Sequence, residues 1–300
     1  MPVPAKHFDA GNSRLAWYEK GSGAPLVCLH GNPSWSVLFR PLFQGLSDSY
    51  RVLSLDQAGC GQSGAPAAHY SWDLSARVAD FGAWVDHVSP DQPVTLVAHD
   101  WGGMVAASWA VDHPDRVAAL VFMNTAAFRL PAGKPLPRSI AWCRNALIGQ
   151  FLVRGLNGFL LGSLKWCTVK PLSAVVRAAY LGPYPDWASR RSIYEFVQDI
   201  PLKESHRSWN RMKQTEDKLV LLKDKPMLLP WGLKDFVFDG DFLREWQNRF
   251  PKAQAIPYAQ KGHWLLEDEP DRVVADIRAF LAKNSTWVAS AQPATAEVRG

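Results

Sequence analysis

The sequence predicts an α/β fold: a mostly parallel sheet with helices on both faces, interrupted by an inserted helical segment. Three observations carry this prediction. From Pro25 to Thr125, short apolar runs rich in branched residues alternate with helical patterns, as expected of strands buried on both faces. The alternation stops at about Ala126 and resumes at Pro226. Between those limits the chain reads as helices and loops with scattered proline, glycine and aromatic residues, RLPAGKPLP and YLGPYPDW being the plainest loops.

His7 to Ala10 and Arg14 to Lys20 read as two strands joined at Gly11-Asn12, a hairpin signal. PLVCLHG (25–31) is a buried strand, and NPSWSVLFRPLFQGLS leads from it into a helix. YRVLSLD (50–56) is the next strand and runs into the glycine-rich turn QAGCGQSGAP. Leu74, Val78, Phe81, Val85 and Val88 then recur at helical spacing, with Ser71 or Asp73 near the cap. Val94 to Ala98 is a strand, the chain from Gly103 is helical, and VAALVFMNT (117–125) is a strand again. After the insertion come the strand PMLLPWG (226–232), the helix DFLREWQNRF, the strand AQAIPYA and a last helix, DRVVADIRAFLAK. The expected organisation is a core of residues 1–126 and 225–284, a helical cap of residues 127–224 and a small, polar, poorly ordered tail, 285–300.

Composition narrows the function classes. The chain has 33 Lys and Arg against 28 Asp and Glu, with no basic run longer than two residues, so no nucleic-acid surface is expected. No stretch approaches the roughly 20 apolar residues of a membrane span. The N-terminal MPVPAKHFDAG lacks a signal-peptide core, and a soluble cytoplasmic protein is expected. Cys28, Cys60, Cys143 and Cys167 show no CxxC spacing and are expected to be reduced, buried thiols. No GxGxxG follows a strand and no paired His/Cys spacing occurs, so neither a cofactor nor a metal is expected.

The chemistry centres on AHDWGG, where a strand turns directly into a helix and small residues flank Asp100 at either side. Such a turn leaves its middle side chain standing exposed, the arrangement usually built around serine. An aspartate there would also serve as a helix cap. As a nucleophile it needs no base, since its ordinary pKa of about 4 leaves it ionised at neutral pH. Attack on an ester would give an anhydride, whereas attack on a saturated carbon with a leaving group gives an alkyl ester that water can cleave. Asp100 therefore points to displacement at carbon, from a halide, an epoxide or a strained lactone. Of the eight histidines, His263 lies in a loop between the last strand and the last helix, placed to activate water. Asp235, after the strand PMLLPWG, is placed to orient it, with Asp239, Asp241 and Asp268 as nearby rivals expected to be solvated caps. HGNPSW (30–35) offers backbone donors beside Asp100, and the Asn32 and Trp101 side chains add two N–H groups suited to a leaving anion.

HGNPSW, LDQAGCGQS, AHDWGG, WGLKD and GHW together resemble the haloalkane dehalogenase family of α/β-hydrolases. The resemblance implies Asp100 as nucleophile, His263 as base, Asp235 as acid, and Asn32 with Trp101 as the halide-binding pair. Asn124 stands where one branch of that family has a glutamate acid, and Asp56 matches a structural turn motif without a catalytic role. NTAAF, PLPRSIAWCR, RGLNGF, GPYPDW, FVQDIPL and KDFVFD resemble a subgroup shared by nominal dehalogenases and the β-lactone decarboxylases of bacterial olefin biosynthesis. Both chemistries use the same aspartate. The first expectation is a dehalogenase acting on a small apolar alkyl substrate, and the alternative a cis-β-lactone decarboxylase. An epoxide hydrolase, with Tyr180, Tyr184 or Tyr194 as acids, comes third, and a non-catalytic binder of apolar ligands is the reading from another class. Phe128, Trp142, Phe159, Trp166, Tyr180 and Trp187 are candidates for the pocket wall. A homo-oligomer or association with enzymes of the same pathway is open.

Overall fold

The computed structural model describes residues 1–145 and 148–286. Eight strands form one sheet: β1 (Lys6–Asp9), β2 (Arg14–Lys20), β3 (Pro25–Leu29), β4 (Arg51–Leu55), β5 (Val94–His99), β6 (Val117–Met123), β7 (Met227–Gly232) and β8 (Gln254–Tyr258). Their order is β1-β2-β4-β3-β5-β6-β7-β8, with β1 and β2 antiparallel and β4 to β8 parallel. The expected strands thus hold to within a residue or two at their ends. All four cysteines are free and buried.

The unbroken apolar runs have a direct cause. Successive side chains of a strand point to opposite faces: Val27 and Leu29 of β3 join one buried cluster, Leu26 and Cys28 the other. Helix α1 (Arg40–Gly45) covers the second face together with the C-terminal helix Pro270–Lys283, while α2 (Leu74–Val88) and α3 (Trp101–Asp112) cover the first. Asp73 caps α2, its carboxylate accepting the Ala76 N–H at 2.9 Å.

Between β6 and β7 lie α4 (Arg138–Arg144), a short wide-turned segment Phe151–Gly155, α5 (Gly158–Trp166), α6 (Ala174–Leu181), α7 (Arg191–Gln198) and α8 (Trp209–Lys218). The chain then adds α9 (Gly240–Arg249), α10 (Leu265–Asp268) and α11 (Pro270–Lys283) around β7 and β8. Polar side chains tie the insertion to the loops after β3 and β4. The Trp35 indole donates to Ala179 O at 3.1 Å, and Ser192 Oγ to Gly59 O at 2.7 Å. The expected tail beyond Thr286 lies outside the described residues.

Asp56, at the C-terminal end of β4, explains why its turn motif is structural. Its buried carboxylate accepts the backbone N–H groups of Ser36 and Gln62, each at 2.8 Å, and the Tyr18 hydroxyl at 3.1 Å. Burial raises its pKa to about 6 against the pull of those donors. Asp56 therefore fixes the loop that leads from β3 toward Asn32. Removing the carboxylate leaves buried donors unpaired, which costs about 3 kcal/mol or more. Asp56→Ala is expected to show that loss in chemical denaturation, with Asp56→Asn intermediate. Equal stability of all three proteins would contradict the assignment.

Candidate active site

Asp100 follows β5 directly and opens α3, with φ 53° and ψ −129°. That conformation is costly for a residue with a side chain, and its surroundings hold it there. Thr125 Oγ1 donates to the Asp100 carbonyl at 2.5 Å, and the Asp100 N–H reaches Asn124 O at 3.3 Å. Two glycines make room: a Cβ at Gly102 would collide with the Leu29 carbonyl, and one at Gly31 with the Asp100 carboxylate. The carboxylate makes no N-cap bond to the N–H groups of α3 beyond Trp101, so the capping role fails. Instead Asp100 Oδ1 accepts the Asn32 N–H at 2.6 Å, and the Trp101 N–H also bonds the carboxylate. These donors form an anion hole around the Asp100 carboxylate.

The predicted partners converge on it. His263 Nδ1 lies 2.7 Å from Asp235 Oδ2, and His263 Nε2 lies 3.8 Å from Asp100 Oδ2. All three side chains are nearly inaccessible to solvent. The order along the chain, Asp100, Asp235, His263, becomes one line in space because each residue follows the C-terminal end of a strand on the same rim of the sheet.

Burial pushes the Asp100 carboxyl up to about 6, against the pull of His263 and of the Trp101 and Asn32 N–H groups. Burial alone would lower the His263 imidazole. The Asp235 carboxylate, by charge and hydrogen bond, and then Asp100 outweigh it and hold His263 above its ordinary value. His263 thus sits between two carboxyl groups, and both favour its protonated form.

Sequence reasoning missed three supports. Asn124, at a positive φ of 40°, donates through Nδ2 to Asp235 Oδ2 and to Gly232 O, each at 3.0 Å, and accepts the Gly232 N–H. It therefore clamps the end of β7 beneath Asp235. His99 lies 4.4 Å from His263, ring to ring, and its Nε2 bonds the His263 carbonyl at 2.9 Å. Burial holds His99 well below its ordinary pKa, so it is a neutral strut. Asp268 is the clearest correction. Expected to be a solvated cap, it is buried and accepts the N–H groups of Gly262 at 2.7 Å and Val169 at 2.9 Å. Its position in the turn just after GHW was the available signal. Asp239 does cap α9, accepting the Asp241 N–H at 3.0 Å, and Asp241 is partly exposed and paired with Lys134.

A pocket opens above the three residues. Asn32, Asp100, Trp101 and His263 line its polar end, and Phe128, Phe159 and Trp166 are among its apolar walls. The other aromatic candidates do not line it. Tyr180 is stacked on Trp264 and donates to Glu267, Trp142 points to solvent, and exposed Trp187 packs against Arg154. Tyr184 lies outside the pocket wall, its hydroxyl accepting the Gly61 N–H at 3.3 Å. Tyr194 is also absent from the wall, so the epoxide-hydrolase reading loses its proposed acids.

A family model described as the alpha/beta hydrolase fold matches residues 24–270. This chain belongs to the α/β-hydrolase family. Among relatives of this α/β-hydrolase, the chain is 40% identical over 292 residues to a cis-3-alkyl-4-alkyloxetan-2-one decarboxylase of Shewanella oneidensis, covering 96% of this chain and 92% of the relative. It is 29% identical to haloalkane dehalogenase 2 of Mycobacterium bovis, covering 92% and 94%. Its fold matches that of a putative ancestral haloalkane dehalogenase with a TM-score of 0.86 at 24% identity, over 94% of this chain and 99% of that one. The chain is thus an enzyme of this family, and its likeness to a decarboxylase exceeds its likeness to a dehalogenase.

Two outcomes follow from the geometry. Asp235→Asn replaces an acceptor that serves both His263 and Asn124, and is expected to lower kcat by about 10³–10⁴-fold, whereas Asp239→Asn keeps its cap and stays near normal. With Asp100 titrating at about 6, the rate of its covalent modification in a single turnover should fall roughly ten-fold from pH 7 to pH 5. A profile flat across that interval would show that the Asp100 anion is not the attacking species.

Proposed function

We propose that this enzyme is a decarboxylase of cis-3,4-dialkyl β-lactones, releasing an alkene and carbon dioxide. The observation that carries the reading is the 40% identity along nearly the whole of both chains, against 29% to the dehalogenase. The motif residues suit both chemistries, so the initial preference for a dehalogenase gives way to the alternative.

The site supports a balanced route. Asp100 Oδ2 attacks the ring carbon that bears the lactone oxygen; that C–O bond breaks and frees the substrate's own carboxylate. The bond from the neighbouring carbon to this carboxylate then breaks, its electron pair forms the C=C bond, and the C–O bond to Asp100 breaks. Carbon dioxide leaves and the Asp100 carboxylate is restored. No water and no external proton are consumed.

In this route Asp100 is first a nucleophile and then a leaving group. The Asn32 and Trp101 N–H groups stabilise the charge returning to its oxygens. An imidazolium at His263 does the same from the other side, which suits a ring held above its ordinary pKa between Asp235 and Asp100. Hydrolysis of the ester would instead need the neutral imidazole as base. The freed carboxylate lies near the Trp101 and Asn32 side chains; one Asn32 amide proton is already given to Ile193 O at 3.1 Å, and an amide has two. In this reading residues 127–224 serve as a cap whose apolar walls, such as Ile140, Phe159 and Trp166, receive the two alkyl branches.

A side-by-side product assay tests the proposal. A cis-dialkyl β-lactone should give alkene and carbon dioxide, while chloro-, bromo- and iodoalkanes of equal length give negligible sustained halide release. Asp100→Ala should lose alkene formation by about 10⁴-fold or more. Steady halide release with no alkene from the lactone would return the assignment to a dehalogenase. An active Asp100→Ala enzyme would exclude the covalent route altogether.

A further inference from the structure

The segment 138–191 departs from the rest of the chain in two ways at once. It contains eight Arg or Lys and a single acidic residue, Asp186, although the whole chain is only +5. It also holds nine of the fourteen large hydrophobic residues that are exposed among those described. Monomeric proteins ordinarily scatter such residues singly, and a concentration of them marks a contact surface.

The exposed side chains of α5 share one face. On α5 the exposed positions are Gly158, Leu161, Lys165 and Trp166, one outward stripe where polar residues are the rule. Lys165 Nζ sits 5.5 Å from the Trp166 ring centroid. In the turn before α5, Gly155 lies between the rings of Phe151 and Trp187, 3.1 and 3.6 Å from where its Cβ would be. The Arg154 guanidinium lies 4.5 Å from the Trp187 ring centroid. Trp166 and Trp187, both more than two-fifths exposed and each with a cation over its ring, combine apolar bulk with positive charge. The patch meets the pocket, since Trp166, Phe159 and Gly162 belong to the pocket wall.

We propose that this face docks on an anionic lipid surface, with the pocket rim at Trp166 turned toward the acyl chains. Tryptophan, leucine and phenylalanine interleaved with Lys and Arg are the side chains that settle at a headgroup boundary. The nearly uniform positive sign complements anionic headgroups, and contact with each added cation strengthens binding. Protein interfaces, by contrast, are depleted in lysine at their centres. No helix of the described residues is long and apolar enough to cross a membrane, so the association is peripheral. The docking goes beyond the decarboxylase reading, although that reading gives it a use: a dialkyl substrate enters from lipid and an alkene returns to it.

Co-sedimentation of the full chain with vesicles tests this without substrate, so its failure is distinct from failure of the decarboxylase assignment. Vesicles of equal parts phosphatidylglycerol and phosphatidylcholine should retain the protein, pure phosphatidylcholine should not, and 0.5 M salt should release most of it. Lys165→Glu should weaken binding roughly ten-fold or more, and Leu161→Ser several-fold; neither residue lines the pocket. Circular dichroism and turnover of detergent-dispersed lactone should be unchanged in both variants. Equal binding to neutral and anionic vesicles, absence of binding, or binding untouched by Lys165→Glu would overturn the proposal. So would a concentration-dependent dimer that Lys165→Glu dissolves while vesicles retain nothing, which would give the face to a second copy of the chain.

Discussion

A single buried carboxylate at the end of β5 sets the terms for everything around it. Taking an anion out of water is costly unless donors or a countercharge replace the lost hydration. Asp100 receives both, from the Asn32 and Trp101 N–H groups on one side and His263 on the other. The donors can approach only because Gly31 and Gly102 lack side chains at the points of contact. The left-handed backbone at Asp100 is maintained by Thr125 and Asn124 at the end of the neighbouring strand. Much of the sheet's C-terminal rim is thus committed to keeping one charge in place.

The same compensation links the three titratable groups. Two carboxylates and one imidazole share a dry space, and Asp235 raises the proton affinity of both partners. In the proposed route, esterification of Asp100 would remove one of the two carboxyl groups that raise the His263 proton affinity. On that route the ester would partition between hydrolysis and expulsion of the carboxylate according to how fast the bound alkyl group departs. The choice then rests on the substrate as well as on the side chains.

The core was legible because its physics is local. Strands buried on both faces must be apolar throughout, so β3, β5, β6 and β7 announced themselves. The sharp turn at Asp100 was legible from small residues around one carboxylate, and Asp235 and His263 from their places after β7 and β8. The insertion was not: its helices are short, and burial is decided by contacts between distant segments. Tyr180 is a case in point, an aromatic residue that turns from the pocket to stack on Trp264 and bond Glu267, which also pairs with Arg40. Trp166, of the same composition class, lines the pocket. Nothing in spacing separates the two. Asp268 escaped for a related reason, because a carboxylate in a helix's first turn is usually solvated and here another segment covers it.

That covering segment has a mechanical consequence. Asp268 accepts N–H groups from Gly262 and from Val169, and the Trp264 N–H donates to Cys167 O at 2.8 Å. The residue before His263 and the residue after it are therefore fastened to the stretch that follows α5. Lifting that stretch away from the sheet would break the fastening and release the loop that aims the imidazole. The pocket wall at Cys167 and the loop that carries His263 are thus one mechanical unit, so a displacement of either strains the hydrogen bonds that hold the other.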